Sequence, residues 1–387
     1  MKIAASSAEG ERLDLIIEQT WMGIEAQMDR HPIDMGFVFL SPHFVSDAQS
    51  ILDRIRKKTG TTTLLGCSGE SVIGPSREYE RTPSISLWMA SLPEAKIEGF
   101  YLSPGDLKSA NSRDDWYRLL HIADPSHTTV ILLGDPFSTD VEKLLNGINE
   151  HIPGFPIVGG MASSGYGPGQ NVLFQNDQLH RFGTVGLSIA SPYRLESVVS
   201  QGCRPIGQPY IIGKGEQNII QQLGVKSSIQ AISEMIQTLP NSDKELIANG
   251  LFVGRVIDEY KDVFRRGDFL IRNVLGADEE SGSIAVMDRV KIGTTIQFHV
   301  RDSETADEDM RSLLIPYSPH PPQGVLLFSC NGRGTRLFAR PNHDVSVIRE
   351  LLNSPPTAGF FCAGEFGPVG GKNFIHGHTA SMLLFRN

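Results

Sequence analysis

Phe37-Val38-Phe39-Leu40 and Val130-Ile131-Leu132-Leu133 open two stretches that can be laid over each other, Phe37–Ser71 on Val130–Ser164, at a constant offset of 93 residues. Phe44 then meets Phe137, and Asp47 meets Asp140. Ile51, Leu52 and Ile55 meet Leu144, Leu145 and Ile148, and Leu64-Leu65-Gly66 meets Ile157-Val158-Gly159. The opening runs are short and uniformly apolar, as strands buried on both faces are. Apolar residues four, five and eight places after each Asp put one greasy stripe on a helix. Ser46 with Gln49, and Thr139 with Glu142, have the spacing of capping boxes at the helix starts. A further strand follows in each copy, Ile85–Met89 and Thr184–Ile189. The duplicated units therefore span 37–89 and 130–189.

A looser third copy lies at the C-terminus, with Val325–Ser329 as its first strand, Asp344, Ile348 and Leu352 on its helix, and Gly359-Phe360-Phe361 and Ser381–Phe385 as its later strands. Cys67-Ser68-Gly69-Glu70 recurs there as Cys362-Ala363-Gly364-Glu365, which reads as one turn used twice at equivalent places. Between the copies the texture changes. Ile229, Ile232, Met235, Ile236 and Leu239 mark a helix that Pro240 ends. Strand-like runs follow at 251–253, 269–271, 284–286 and 295–300, then an acidic helix from Ser303 to about Leu314 and a proline-rich connector. The expected fold is α/β: mixed sheets built from repeated strand-helix-strand-strand units, helices packed on the sheets, in two modules, 1–220 and 221–387.

The chain has 387 residues, enough for two or three domains at roughly 100–200 residues each. With 35 Lys and Arg against 44 Asp and Glu, its formal net charge is −9. An acidic chain lacks the basic footprint that nucleic acid or anionic lipid would need. No apolar run approaches the length of a membrane span, and Met1–Gly10 has no signal-peptide core. Four cysteines without a Cys-x-x-Cys pair argue against a zinc ribbon and fit free thiols in a reducing, cytoplasmic setting.

The motifs resemble those of the FIST family, the sensory domain named for F-box and intracellular signal transduction proteins. Gly66-Cys67-Ser68 and Gly159-Gly160 look like its first module. The run from Phe269 to Gly276, Val300-Arg301-Asp302, the Cys-x-Gly-Arg-Gly of Cys330 to Gly334, Gly364-Glu365 and His378-Thr379 look like its second. The resemblance implies a small-ligand sensor, with amino acids as the ligand class, whose output passes to a protein partner.

Glycine-rich turns at strand ends let a backbone approach a ligand and aim N–H groups at it. The candidate ligand contacts are Cys330, Asn331, Gly332, Arg333, Gly334, Gly364, Glu365, Cys67, Ser68, Glu70, Gly160, Arg272 and His378. Arg333, between two glycines, offers a planar fork for a carboxylate or a structural pair for Glu70 or Glu365. Glu365 offers an acceptor for an ammonium group. Arg272 sits in an apolar strand and needs a pocket or a buried partner. Cys330 beside a cation and free N–H groups reads either as a nucleophile or as an inert thiol. His376 and His378 alternate along a strand and point to one face. The reading that results is a cytosolic sensor of a small anionic or zwitterionic metabolite, with no cofactor, no metal and no catalytic residue. The alternatives are a protein-binding scaffold without a ligand and a cysteine enzyme built on Cys330. Motifs for a phosphate-binding P-loop and for a His-Glu-x-x-His zinc site are absent.

Overall fold

The computed structural model describes Met1–Asn387. The chain forms two compact units: Met1–Ser200 with Met310–Ile375 and Thr379–Asn387, and Gln201–Asp309 with His376–His378. This division does not follow a linear cut near residue 220, because the third repeat returns to the unit that holds the first two.

The larger unit contains three mixed six-stranded sheets. Each is organised around the same trio. In the first, Met35–Leu40 runs parallel to Leu64–Ser68 and antiparallel to Ser84–Ser91. In the second, Thr128–Gly134 runs parallel to Ile157–Met161 and antiparallel to Thr184–Ala190. In the third, Gly324–Cys330 runs parallel to Thr357–Cys362 and antiparallel to Thr379–Arg386. Phe37, Phe39, Ile131, Leu133, Leu326, Phe328 and Phe360 share one central core. The other faces are covered by separate clusters that include Ile51 and Leu52, Leu144 and Ile148, and Val345 and Ile348 from the helices. Strands buried on both faces explain the uninterrupted apolar runs.

The registers correct the ungapped alignment. Phe37 pairs with Leu65 and faces the central core, whereas Val130 pairs with Ile157 and faces the helices. The equivalent of Phe37 is Ile131, which pairs with Val158. The second copy therefore has one residue fewer between its parallel strands. A one-residue slip turns every side chain to the other face, so uniformly apolar strands conceal it.

The proposed capping boxes do not form. Ser46 donates to the neighbouring Asp47 carboxylate, and Gln49 donates to Asp53. Thr139 donates to the Gly183 carbonyl, and the second helix is capped by Asp140, which accepts from the Lys143 N–H. Asp140 accepts at the N-terminus of its helix, where a carboxylate also meets the favourable end of the helix dipole.

The smaller unit is a β-barrel. Cys203–Glu216, Thr295–Arg301, Phe252–Val256, Phe269–Asp278, Ser283–Val286 and Ile219–Leu223 pair in that order, and Ile219–Leu223 pairs back to Cys203–Glu216. The six strands thus close on themselves, with the short Lys226–Ser227 added beside Ile219–Leu223. Ile212, Ile220, Val253, Val286, Ile296 and Phe298 fill part of its core, with Ala231 and Met235 of the helix Ser228–Thr238 packed against them.

Candidate functional site

The glycine-rich turns follow the second strand of each trio, and there the sheets exchange strands cyclically. After Leu64–Ser68 the chain crosses so that Val72–Ile73 pairs in the third sheet. After Ile157–Met161, Leu173–Gln175 pairs in the first. After Thr357–Cys362, Glu365–Val369 pairs in the second. Three turns thus meet at one place. Ser163 ties them together: it accepts from the Glu70 N–H at 2.8 Å, its N–H donates to the Ser68 carbonyl at 3.2 Å, and its hydroxyl donates to the Phe361 carbonyl. Met161 N–H donates to the Gly364 carbonyl, and Ala363 N–H donates back to Met161.

Three glycines occupy one register position. Gly66 pairs with Val38, Gly159 with Leu132 and Gly359 with Leu327. A Cβ at these positions would lie 1.9, 1.9 and 1.7 Å from the partner's carbonyl oxygen. Their equivalence corrects the reading of the recurring Cys-x-Gly-Glu: Gly66 corresponds to Gly359, so Cys67 corresponds to Phe360 rather than Cys362. The two motifs are two residues out of structural step, and their glutamates have different surroundings. Glu70 receives a bidentate bond from Arg336 at 2.6 and 2.8 Å near the surface. Glu365 is fully buried.

Arg333 is also fully buried, and its partner is neither Glu70 nor Glu365. Its Nε and Nη2 donate to Asp344 at 2.8 and 2.7 Å, and the guanidinium lies 5.2 Å from the Phe338 ring centre. Asp344 also accepts from Ser329 at 2.9 Å and contacts His343 Nδ1 at 2.9 Å. Burial alone would raise its pKa, but the Arg333 charge and these hydrogen bonds win and hold it well below the usual carboxylate range. Glu78, which accepts from the Val345 N–H at 3.0 Å, goes the other way. Burial and the neighbouring Asp344 push it up to about 8. One guanidinium thus serves two carboxyls, and Asp344 has it.

The outward donors of the Arg333–Arg336 turn are taken by the chain itself. Glu80 accepts from the Thr335 N–H at 2.9 Å and from its hydroxyl at 2.6 Å. Gly334, at φ +57°, leaves room for that carboxylate: a Cβ there would lie 2.8 Å from it. Inward, polar atoms remain. Asn331 Oδ1 and Arg333 Nη1 are buried without a hydrogen-bond partner. Neither Glu365 oxygen has a hydrogen bond of ordinary geometry, although the Thr379 backbone, the Cys330 thiol and the Arg333 charge all favour its ionised form. Burial outweighs these and holds the Glu365 carboxyl well above its ordinary pKa.

The other candidates are distributed as follows. Cys330 closes its strand, pairs in register with Cys362, and accepts from the Gly332 N–H at 3.4 Å. Cys67 and Cys362 are fully buried, and burial pushes both thiols up. Ser68 accepts from the Val172 N–H at 2.9 Å and lies 2.6 Å from Ser164. Gly160 pairs with Glu365, and a Cβ on it would lie 2.5 Å from Cys362 Sγ. Arg272 and His378 belong to the barrel unit. Arg272 lies 3.8 Å from Asp288. His378 follows the end of its strand at φ +60°, so the expected alternation with His376 on one face breaks at this turn. Its Nε2 is 3.2 Å from Asn273, and its ring meets Phe252 edge-on.

Sequence reasoning passed over Asp344, Glu78 and Ser163. A signal for Asp344 was present: it stands at the helix start of the third copy, as Asp47 and Asp140 do in the others. A cation packed between glycines in the interior requires such a partner. Glu78 and Ser163 carried no sequence signal, since their role follows from the strand exchange.

A triplicated α/β core whose repeats interlock through glycine turns, with a barrel between its second and third repeats, defines a two-module architecture. Residues 34–226 match the family model of the FIST N domain, and residues 230–368 match that of the FIST C domain. The chain belongs to the FIST family, whose domains are in general sensory and signal-transduction domains. An uncharacterized protein of Mycobacterium tuberculosis (strain CDC 1551 / Oshkosh) is 39% identical over 343 residues, 87% of each chain. An uncharacterized protein of Mycobacterium bovis (strain ATCC BAA-935 / AF2122/97) is 37% identical over 344 residues, 87% of this chain and 86% of its own. No helix is long and apolar enough to cross a membrane.

Proposed function

We propose that this chain is a sensor that holds a small zwitterionic metabolite of the amino-acid class at the meeting of its glycine turns and reports occupancy to a protein partner. One observation carries the reading: Asn331 Oδ1, Arg333 Nη1 and both Glu365 oxygens are buried polar atoms without well-formed hydrogen bonds, and all come from two facing C-terminal turns. Each such atom costs about 1–3 kcal/mol when left unsatisfied. A carboxylate placed on Arg333 Nη1 and an ammonium shared by Glu365 and Asn331 would satisfy all of them. Asp344 does not compete for that edge, because it holds Nε and Nη2. Four cysteines without a disulfide fit the cytosol as the setting.

The cysteine-enzyme alternative is less well supported. Its nucleophile would be Cys330 with His376 or His378 as base, and His378 Nε2 lies 3.2 Å from Asn273 with its ring edge-on to Phe252. A scaffold without a ligand draws support from Arg333, whose pairing with Asp344 also serves the fold.

The test is a thermal-shift screen of amino acids and small carboxylates, followed by calorimetry. A ligand at about 100 times its Kd should stabilise by about 2.7 kcal/mol. An ammonium beside Glu365 favours the ionised form that burial disfavours. The Glu365→Gln protein should bind the hit roughly ten- to hundredfold more weakly. A hit that binds wild type and Glu365→Gln alike overturns this placement.

A further inference from the structure

Seven of the thirteen large apolar side chains that stand exposed belong to the barrel unit, which holds less than a third of the chain. Exposed apolar residues are ordinary one at a time, but a group of them on adjoining backbone marks an interaction surface. Three of the seven adjoin. Ile211, 57% exposed, lies on Cys203–Glu216, and its neighbour Ile212 points the other way into the barrel core. On one side of this pair the Gly224 N–H donates to the Ile211 carbonyl at 2.7 Å, which brings the turn bearing Val225 alongside. On the other side the Ile212 N–H donates to the Thr294 carbonyl at 3.0 Å, and the Gly293 N–H donates to the Ile212 carbonyl at 2.9 Å, which brings Ile292 alongside. Val225 and Ile292 are 92% and 64% exposed.

The fold does not ask for these residues. Leu223 pairs with Lys226 across the two-residue turn Gly224-Val225, and Gly224 at φ +60° supplies the left-handed residue that the turn needs. A polar residue would serve at 225, yet valine stands there with no burial to gain. Ile292 lies in a turn as well, closed by the Thr294 N–H on the Lys291 carbonyl at 3.3 Å. The surroundings are basic. Residues 210–227 and 287–294 hold Lys214, Lys226, Arg289 and Lys291 against Glu216 and Asp288, in a chain whose net charge is −9. Arg255 engages Asp288 at 2.8 Å, and Glu234 pairs with Lys226. That leaves Lys214, Arg289 and Lys291 against Glu216 at the surface. An anionic bilayer would attract this end and repel the rest of an acidic chain, whereas a short acidic segment of a protein meets the patch alone.

We propose that this end of the barrel docks a partner protein through a short segment whose apolar residues are flanked by Asp or Glu. The apolar residues lie on Val225, Ile211 and Ile292, and the acids meet Lys214, Arg289 and Lys291. The proposal rests on the sensor reading for there being a partner at all, and it gives that partner a chemistry. Apolar contact supplies the affinity, while the basic rim steers the segment in, rejects basic sequences and weakens with salt.

The test selects from a random peptide library displayed on phage, with the full chain immobilised, and titrates the enriched peptides by fluorescence anisotropy. Enriched sequences should combine Leu, Ile, Val or Phe with Asp or Glu. Val225→Ser with Ile292→Ser should weaken their binding at least about tenfold. Arg289→Glu with Lys291→Glu should weaken it by a similar factor that shrinks at high salt. All four side chains are exposed, so both variants should melt as wild type does; if the first fails to fold, the second carries the test. No enrichment over an empty support, enriched peptides that are basic, or equal binding by wild type and both variants overturns the proposal. So does binding to phosphatidylserine vesicles that the serine variant loses, which makes the patch a membrane contact. A concentration-dependent dimer that the serine variant loses overturns it too, by making the patch a contact between copies. Glu365→Gln should bind the peptides as wild type does. Peptide binding without an amino-acid hit overturns the turn-cluster site alone, and an amino-acid hit without peptide binding overturns the docking surface alone.

Discussion

Glu78 makes the electrostatics of the turn cluster measurable. Its carboxyl is buried beside Asp344, and Asp344 holds the only guanidinium that the two share. Glu78 is therefore pushed from the usual 4.5 to about 8. Between those values the unfolded chain has lost the proton and the folded chain keeps it. The folded state binds more protons, so stability falls as pH rises through this window and levels off above it. At about 1.4 kcal/mol per pH unit, the cost over the window is of order 4 kcal/mol. Glu78→Gln removes the titration and keeps a carbonyl oxygen for the Val345 N–H. Urea unfolding of both proteins at pH 5, 6, 7 and 8 gives the comparison, with contributions from groups remote from Glu78 cancelling in the difference. The variant should gain on wild type with each step in pH, by about 3–4 kcal/mol in all. Parallel stability curves would refute the reasoning: Glu78 would then be ionised in the fold, and the pairing of Arg333 with Asp344 alone would not describe the cluster.

Other outcomes follow from the same geometry. Gly359→Ala places a Cβ 1.7 Å from the Leu327 carbonyl and should cost at least about 3 kcal/mol in a denaturant melt, whereas Gly276→Ala, with nothing within 4 Å, should stay close to wild type. Asp344→Asn leaves the buried Arg333 charge short of a carboxylate and should cost about 3–5 kcal/mol by the same assay. Among the thiols, Cys330 should alkylate first in limited labelling with peptide mapping, because it is 9% exposed while Cys67, Cys203 and Cys362 are at most 1% exposed. Faster labelling of any of those three would contradict this.

The duplication was legible because buried strands and helix stripes leave strong patterns, and Phe37–Leu40, Val130–Leu133 and Val325–Phe328 all lie in strands that hold the same place in their sheets. Their register was not legible. When both faces are apolar, nothing in the residues distinguishes Val130 from Ile131 as the partner of Phe37. The capping boxes failed for a related reason: Ser46 and Thr139 found partners in Asp47 and Gly183, and the Gly183 contact is long-range. Four glycine turns were visible as turns, but strand exchange decides that three of them interlock, and no local pattern encodes exchange. The barrel's strands were visible one by one, yet closure depends on Ile219–Leu223 pairing back to Cys203–Glu216. For the candidate site, the sequence singled out Arg333 and Glu365 and left both partners of Arg333 open. The structure gives Arg333 neither Glu70 nor Glu365 but Asp344, because the folded helix His343–Leu351 delivers that carboxylate to an interior cation.

The most direct test of the central claim is an experimental structure of the chain with its best amino-acid or carboxylate hit bound. The account predicts density for the ligand between the two C-terminal turns, its carboxylate within hydrogen-bond distance of Arg333 Nη1 and its ammonium within reach of Glu365 and Asn331, with the Arg333–Asp344 pair unchanged. Ordered water alone on those atoms, with the ligand bound elsewhere, would contradict it.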